Sequence, residues 1–175
     1  MEKSLRKIVV RIITIFLLAV TFFIIFQFSN QNGEKSSGVS QKFVRIIIEK
    51  LPQTKELSED TKIEIIQNSQ VFIRKGAHFS IYMIVGMLIM TFMSTYKIKI
   101  LIKIFISILV GATYAISDEI HQAFIPGRAS SIIDVGIDTL GVICGITIII
   151  IIISIYKAIF GKTNAKLNRR GERKK

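Results

Sequence analysis

The chain has 175 residues, half of them hydrophobic, with a mean hydropathy of +0.52 and a formal net charge of +12. A soluble domain needs a polar surface, whereas here the apolar residues form long runs and most charges lie between or after them. We expect no nucleic-acid partner, because the Lys and Arg residues form no amphipathic or aromatic-interleaved element. The single cysteine, Cys144, cannot form an intramolecular disulfide.

Four apolar runs predict an all-α fold, a polytopic membrane bundle with four transmembrane helices, in one domain that spans the chain. A helix needs about 20 apolar residues to cross the hydrocarbon core of a bilayer. The runs cover about residues 8–28, 77–95, 100–117 and 132–156. The first run is too long for a typical signal-peptide core and lacks a small-residue cleavage site, so we interpret it as a retained anchor.

Basic residues predict the orientation of this bundle. They precede the first run, separate the second from the third, and follow the fourth as a tail over residues 157–175. Such flanks face the cytoplasm, so both termini are predicted to be cytoplasmic, and the tail is predicted to touch anionic lipid. The flanking residues before the tail are Lys3, Arg6, Lys7, Lys97, Lys99 and Lys103.

The segment 29–76 is then predicted to lie outside and to hold two short amphipathic helices. An apolar stretch from Phe43 is stopped by Pro52. A second helix is predicted to begin near Ser58, with Thr61 and Glu64 as a capping box. The pattern leaves open whether these helices lie on lipid or cover the bundle.

Three polar clusters lie at the predicted outer ends of runs two, three and four. Because runs two and four enter from outside and run three exits there, their side chains are predicted to lie at similar depth. Within each cluster, spacings of three or four residues place side chains on one helix face. The candidate ligand-binding residues are Arg74, Lys75, His78, Tyr82, Asp118, Glu119, His121, Gln122, Arg128, Asp134 and Asp138.

Asp138 lies about 6 Å, one helical turn, deeper than Asp134. An ionisable group at that depth normally faces the bundle interior and has a partner. Gly141 and Gly145 continue the same stripe and predict that it packs against another helix.

Two interpretations of the clusters remain open. In the first, the charges only pair and tie the helices together: Arg74, Lys75 and Arg128 with Asp118, Glu119, Asp134 and Asp138. In the second, they form a polar pocket that opens to the outer leaflet, in which Arg128 holds a phosphate or carboxylate in bidentate fashion.

Catalysis is the alternative function. His78 or His121 could act as general acid or base, with Glu119 or Asp134 as the partner, in a hydrolase or phosphatase acting on a lipid. These four residues could also hold a metal, but the order Asp-Glu-Ile-His from Asp118 lacks the HExxH spacing. No nucleophile elbow and no Gly-rich phosphate loop occur. We therefore expect no cofactor and no metal.

The clusters resemble the VanZ-like membrane proteins. The resemblance rests on Arg-Lys-x-x-His-Phe-x-x-Tyr from Arg74, on Ser-Asp-Glu-x-His-Gln-x-Phe-x-Pro-Gly-Arg from Ser117, and on the following Asp134 and Gly141. Phe-Ser-Asn-Gln from Phe28, with the serines after it, is similar to the family's Ser-rich stretch. Asp138 departs from the pattern, since the family usually carries Asn there.

This resemblance implies a bacterial plasma-membrane protein with a role at the cell envelope, because the founding member is associated with low-level teicoplanin resistance. We expect a noncatalytic protein whose outer pocket engages an amphiphile: a lipid head group, a lipid-linked wall precursor or an acylated glycopeptide. The expected partners are membrane lipids and a second copy of the chain. Transport, with Asp138 as a proton-coupled carboxylate, is a third hypothesis.

Overall fold

A computed structural model describes the backbone of residues 2–54 and 57–172, and for residues 2, 3, 53 and 161–172 the backbone alone. The described residues are helical and contain no strand, which confirms the all-α class. Much of the predicted basic tail, from residue 161 onward, lies outside the described side chains. The helices are α1 (Glu2–Ser29), α2 (Gly33–Lys50), α3 (Glu59–Ser94), α4 (Ile100–Gln122) and α5 (Ile132–Glu172), with a 3-10 turn at Pro52–Thr54.

Helices α1, α3, α4 and α5 are long and apolar enough to cross a membrane, in agreement with the four predicted runs. Large hydrophobic side chains such as Phe16 and Phe105 point away from the bundle and are about two-thirds exposed. In a soluble protein such faces would be costly, whereas in a bilayer they contact lipid tails.

Helix α3 differs from the prediction because the second short helix and the second run form one continuous helix of 36 residues. Ser58 is its N-cap and accepts a hydrogen bond from the Thr61 amide (3.3 Å), so the predicted Thr61–Glu64 capping box does not form the start. No proline interrupts the helix afterwards. At 1.5 Å per residue α3 is about 54 Å long, so its first half extends beyond a hydrocarbon core of about 30 Å.

Helix α2 is the first of the two predicted short helices, and it packs antiparallel to the first half of α3. Val44 and Ile48 bury their side chains against Ile66. The Gln41 side-chain amide donates a hydrogen bond to the Gln70 side-chain oxygen (2.9 Å). The extension of α3 beyond the core therefore has an apolar partner.

Helices α3 and α5 are in close contact over much of their length. A Cβ atom at Gly141 would collide with the Phe79 carbonyl, and one at Gly145 with the Met83 carbonyl. Small residues of this kind let two backbones approach in a membrane, where apolar burial gives little drive for association. The two glycines and Asp138 thus face α3, as the stripe on α5 predicted.

The four long helices alternate in direction, so two opposite ends can be defined. At the polar end, marked by Arg74, Asp118 and Arg128, α1 and α4 finish and α5 begins. At the lysine end, marked by Arg11 and the α3–α4 turn with Lys97, α1 begins, α3 finishes and α4 begins. Every candidate ligand-binding residue lies in the half of the bundle nearer the polar end.

Candidate functional site: a polar cavity beside an apolar groove

A polar cavity of about 210 Å³ opens at the polar end between α3, α4, α5 and the α4–α5 loop. Four cationic or imidazole groups and three carboxylates contribute to its wall. Eight of the candidate residues line it, namely Arg74, Lys75, His78, Glu119, Gln122, Arg128, Asp134 and Asp138.

The other three candidates lie elsewhere. Tyr82 and Asp118 are buried beneath the cavity, at 0% and 5% exposure. His121 turns toward α1 and stacks on Phe26, with ring centroids 5.0 Å apart. The reason is helical rotation, because three residues along a helix correspond to about 300°. His121 therefore points about 60° to one side of Asp118, whereas Gln122, four residues along, points about 40° to the other side.

Arg128 joins the α4–α5 loop to the end of α1. Its guanidinium donates hydrogen bonds to the Gln31 carbonyl (3.1 Å), the Phe28 carbonyl (2.8 Å) and the Gln122 side-chain oxygen (2.9 Å). Burial, and after it the neighbouring Arg74, lowers the pKa of Arg128. The three acceptors offset that cost, so much of the guanidinium is already engaged within the protein.

The α4–α5 loop reaches this position through a glycine turn. Gly127 has φ +74°, a left-handed conformation that suits glycine. The preceding Pro126 carbonyl accepts a hydrogen bond from the Gly33 amide at the start of α2 (3.1 Å). A Cβ at Gly33 would collide with the Gly127 carbonyl. The loop and the first turn of α2 therefore meet backbone to backbone beside the cavity.

Two of the cavity carboxylates have hydrogen-bond donors within the protein. Glu119 accepts a hydrogen bond from the Ser131 amide (2.9 Å), just before α5 begins. Asp134 forms an ion pair with Lys75, and both side chains are partly exposed. These contacts connect α4 to the loop and α3 to α5, so part of the cluster has the pairing role that the first interpretation foresaw.

Asp138 is different, because it is 1% exposed and neither of its oxygens has a hydrogen-bond partner. The His78 imidazole is within ion-pair distance, with Nδ1 3.7 Å from Oδ2. That distance is too long for a hydrogen bond. Asp118 lies close by, and one of its oxygens accepts a hydrogen bond from the Gln122 amide group (3.0 Å).

An apolar groove of about 340 Å³ adjoins the polar cavity. It runs between the end of α1, α2 and α3, and its walls include Ile25, Val39, Phe43, Ala77 and Ile81. The cavity and the groove share a wall, formed by Arg74, His78 and Arg128.

The groove and the two backbone carbonyls that Arg128 contacts, those of Phe28 and Gln31, were not predicted as parts of the site. Phe43 belonged to a recognised apolar stretch, and Phe28 and Gln31 belong to the segment that resembled the family. Backbone carbonyls carry no sequence signal, however, and a groove between three helices depends on their packing. The family resemblance was therefore the indication in the sequence that residues at the end of α1 belong to the site.

Comparison with curated proteins and with solved structures found no match to either. Comparison with protein families did: residues 14–154 match the family model described as VanZ/LLP1. The match covers all four membrane-length helices in whole or in part, with α2, the polar cavity and the groove. The protein is therefore a multi-pass membrane protein of the VanZ/LLP1 family.

Proposed function

We propose that this protein binds an amphiphile, with an anionic headgroup in the polar cavity and an acyl chain in the apolar groove. The observation that carries the proposal is the shared wall of Arg74, His78 and Arg128 between the two compartments. A molecule that crosses this wall needs one charged end and one apolar end. That is the common chemistry of membrane lipids, lipid-linked wall precursors and acylated glycopeptides.

Arg74 is the cation best suited to anchor the headgroup. Lys75 is paired with Asp134, and Arg128 donates to three oxygens of the protein. Arg74 lines both compartments, is partly exposed, and forms no hydrogen bond or ion pair with the residues that the structure describes. A free guanidinium can bind a phosphate or carboxylate through two parallel hydrogen bonds.

The groove contributes selection by shape more than affinity. An acyl chain that moves from lipid into the groove exchanges one apolar environment for another, so it gains little hydrophobic free energy. Val39, Phe43 and Ala77 set the width that such a chain must fit. Affinity in this proposal comes from the headgroup, and discrimination between acylated and non-acylated ligands comes from the groove.

The basic flanks support an outer-leaflet ligand. Arg6, Lys7, Lys97 and Lys99 all lie at the lysine end, and basic ends of membrane helices face the cytoplasm. We infer that the polar end faces the outside of a bacterial plasma membrane. Lipid-linked wall precursors and acylated glycopeptides such as teicoplanin are both met there.

Antibiotic susceptibility tests the glycopeptide form of the proposal. A sensitive Gram-positive host would express wild type, Arg74→Gln or Arg45→Gln at matched membrane levels. Arg45 lies on the exposed face of α2 and does not line the cavity or the groove, so its variant controls for loss of one positive charge. We expect lower susceptibility to teicoplanin but not to vancomycin, which lacks the acyl tail, and we expect this shift to disappear in Arg74→Gln alone. Absence of any shift with wild type would remove acylated glycopeptides from the proposed ligands.

Direct binding tests the groove. Ala77→Phe places a ring in the groove, whereas Ala123→Phe adds the same ring on an exposed position outside it. Purified protein in detergent would be titrated with a fluorescent anionic lipid analogue. We expect Ala77→Phe to weaken binding roughly tenfold, about 1.4 kcal/mol, and Ala123→Phe to leave it unchanged. Equal binding by all three proteins would contradict an acyl chain in this groove.

Hydrolysis of a lipid-linked substrate is the second candidate, and the His78–Asp138 pair at the cavity wall favours it. Glu119 and Asp134 are less suited to act as bases because both already accept hydrogen bonds. A phosphate-release assay with a lipid pyrophosphate would detect turnover. An enzyme should lose turnover in His78→Asn and retain it in His121→Asn, since His121 lies outside the cavity.

A further inference from the structure

We infer that His78, Asp118 and Asp138 form a binding site for one divalent transition-metal cation. The three residues come from α3, α4 and α5, and each offers one ligand atom within 4.8 Å of the other two. Such a site would be formed by the protein alone, whether or not an amphiphile binds.

The spacing is close to what one cation requires. Nitrogen and carboxylate oxygen ligands lie about 2.0–2.2 Å from a zinc ion, so three ligand atoms that share one ion are separated from one another by roughly 3.3–3.8 Å. Small side-chain rotations that move each ligand atom by less than about 1 Å would bring all three atoms within bonding distance of one ion.

Unsatisfied buried groups provide the second observation. Both oxygens of Asp138 lack a hydrogen-bond donor although the residue is 1% exposed. The Tyr82 hydroxyl is also buried and completes no hydrogen bond. Buried polar groups without partners are uncommon in proteins, and a bound ion is one of the recognised explanations. A cation between these carboxylates would satisfy Asp138 directly.

The Lys and Arg side chains that line the cavity do not fill this role. Lys75 pairs with Asp134, and Arg128 directs its hydrogen bonds to Phe28, Gln31 and Gln122. Arg74 lines the cavity, but neither carboxylate accepts a hydrogen bond from it. Two buried carboxylates therefore face one imidazole, and together they could hold a dication with little excess charge.

One imidazole and two carboxylates suit Mn²⁺ or Zn²⁺ better than Mg²⁺ or Ca²⁺, which prefer oxygen ligands alone. His78 and Asp138 also line the polar cavity, so the remaining coordination positions of the ion would open toward it. The sequence did not predict a metal because the three ligands come from three different helices. Ligands that are far apart in the sequence form no recognisable motif.

Metal binding would be measured on the full chain, purified in detergent and stripped with a chelator. Mn²⁺ would be titrated in, with free Mn²⁺ followed by its electron paramagnetic resonance signal, and Zn²⁺ would be added as competitor. We expect one Mn²⁺ per chain, displaced by Zn²⁺, and at least tenfold weaker binding in Asp138→Asn. Asp134→Asn is the control, because Asp134 lines the same cavity without belonging to the cluster, and we expect it to bind normally.

Thermal unfolding supplies a readout that does not depend on a variant losing function. Without metal, Asp138→Asn should melt at a higher temperature than wild type, because it removes one of two buried carboxylates that share a single imidazole. With metal, wild type should rise and the variant should not. Failure of wild type to bind either Mn²⁺ or Zn²⁺, or an equal rise in both proteins, would overturn the inference.

Discussion

The two ends of the bundle differ in how their charged groups are paired. At the lysine end, Arg11 donates a hydrogen bond to the Thr95 hydroxyl (2.8 Å), and its guanidinium lies 3.9 Å from the centre of the Tyr96 ring. At the polar end, Arg128 donates three hydrogen bonds, yet Asp138 in the wall of the same cavity accepts none and has only the His78 imidazole 3.7 Å away.

This contrast separates a structural role from a functional one. A partly or fully buried group that finds its partners within the chain holds helices together, as the partly buried Arg11 does for α1 and α3. A buried group without partners raises the free energy of the folded protein. Such a group is expected to acquire its partner from outside the chain. Asp138 is such a group, and it lies at the polar end.

The strongest test of this contrast is Arg128→Gln, for which we expect the largest loss of stability. The change removes charge-assisted hydrogen bonds to two backbone carbonyls and to Gln122, and it detaches the α4–α5 loop from the end of α1. We expect the free energy of unfolding in detergent to fall by about 3 kcal/mol. Thermal unfolding of the purified protein is the measurement.

Arg128→Lys is the matched variant for that experiment, because it keeps the charge and loses the planar fork. We expect Arg128→Lys to have a stability between that of wild type and that of Arg128→Gln. Wild-type stability in Arg128→Gln would show that Arg128 is available for a ligand instead of clamping the loop, and would shift the headgroup anchor from Arg74 to Arg128.

At the lysine end we expect a smaller effect and no effect on binding. Arg11→Met keeps an unbranched side chain but removes the hydrogen bond to Thr95 and the cation–π contact with Tyr96. The expected loss is about 1–2 kcal/mol in thermal unfolding. Mn²⁺ and lipid-analogue binding, measured on the same preparation, should match wild type, since the lysine end is remote from the cavity. Altered binding in Arg11→Met would contradict a purely structural role for the lysine end.

The number of membrane helices could be predicted from the sequence, because four apolar runs of this length are too hydrophobic to be exposed to water and are long enough to cross a bilayer. The length of α3 could not be predicted from the sequence. The amphipathic residues after Ser58 and the apolar residues after Ala77 lie in different environments, yet they belong to one uninterrupted helix. Composition changes at a membrane boundary, and that change need not coincide with a break in the backbone.

For the site, the sequence indicated which residues converge and left their pairing open. Lys75 pairs with Asp134, whereas Asp138 remains without a donor, although the two aspartates are one helical turn apart. The difference depends on how α5 is rotated against α3, which is set by contacts such as that of Gly141 with the Phe79 carbonyl. The groove likewise depends on the position of α2, which no local pattern specifies.

The smallest expected effect concerns the Lys75–Asp134 pair and divides the polar end itself. Their side chains are 31% and 26% exposed, so water screens the pair. A double-mutant cycle with Lys75→Met and Asp134→Asn, read by thermal unfolding, should give a coupling energy of about 0.5 kcal/mol. A weak pair of this kind leaves Lys75 free to turn toward an anionic headgroup beside Arg74. A coupling above about 2 kcal/mol would mean that the pair is shielded from water, since screened pairs do not reach that value. Lys75 would then be a fixed strut between α3 and α5, as Arg11 is between α1 and α3, and Arg74 would have to hold the headgroup without it.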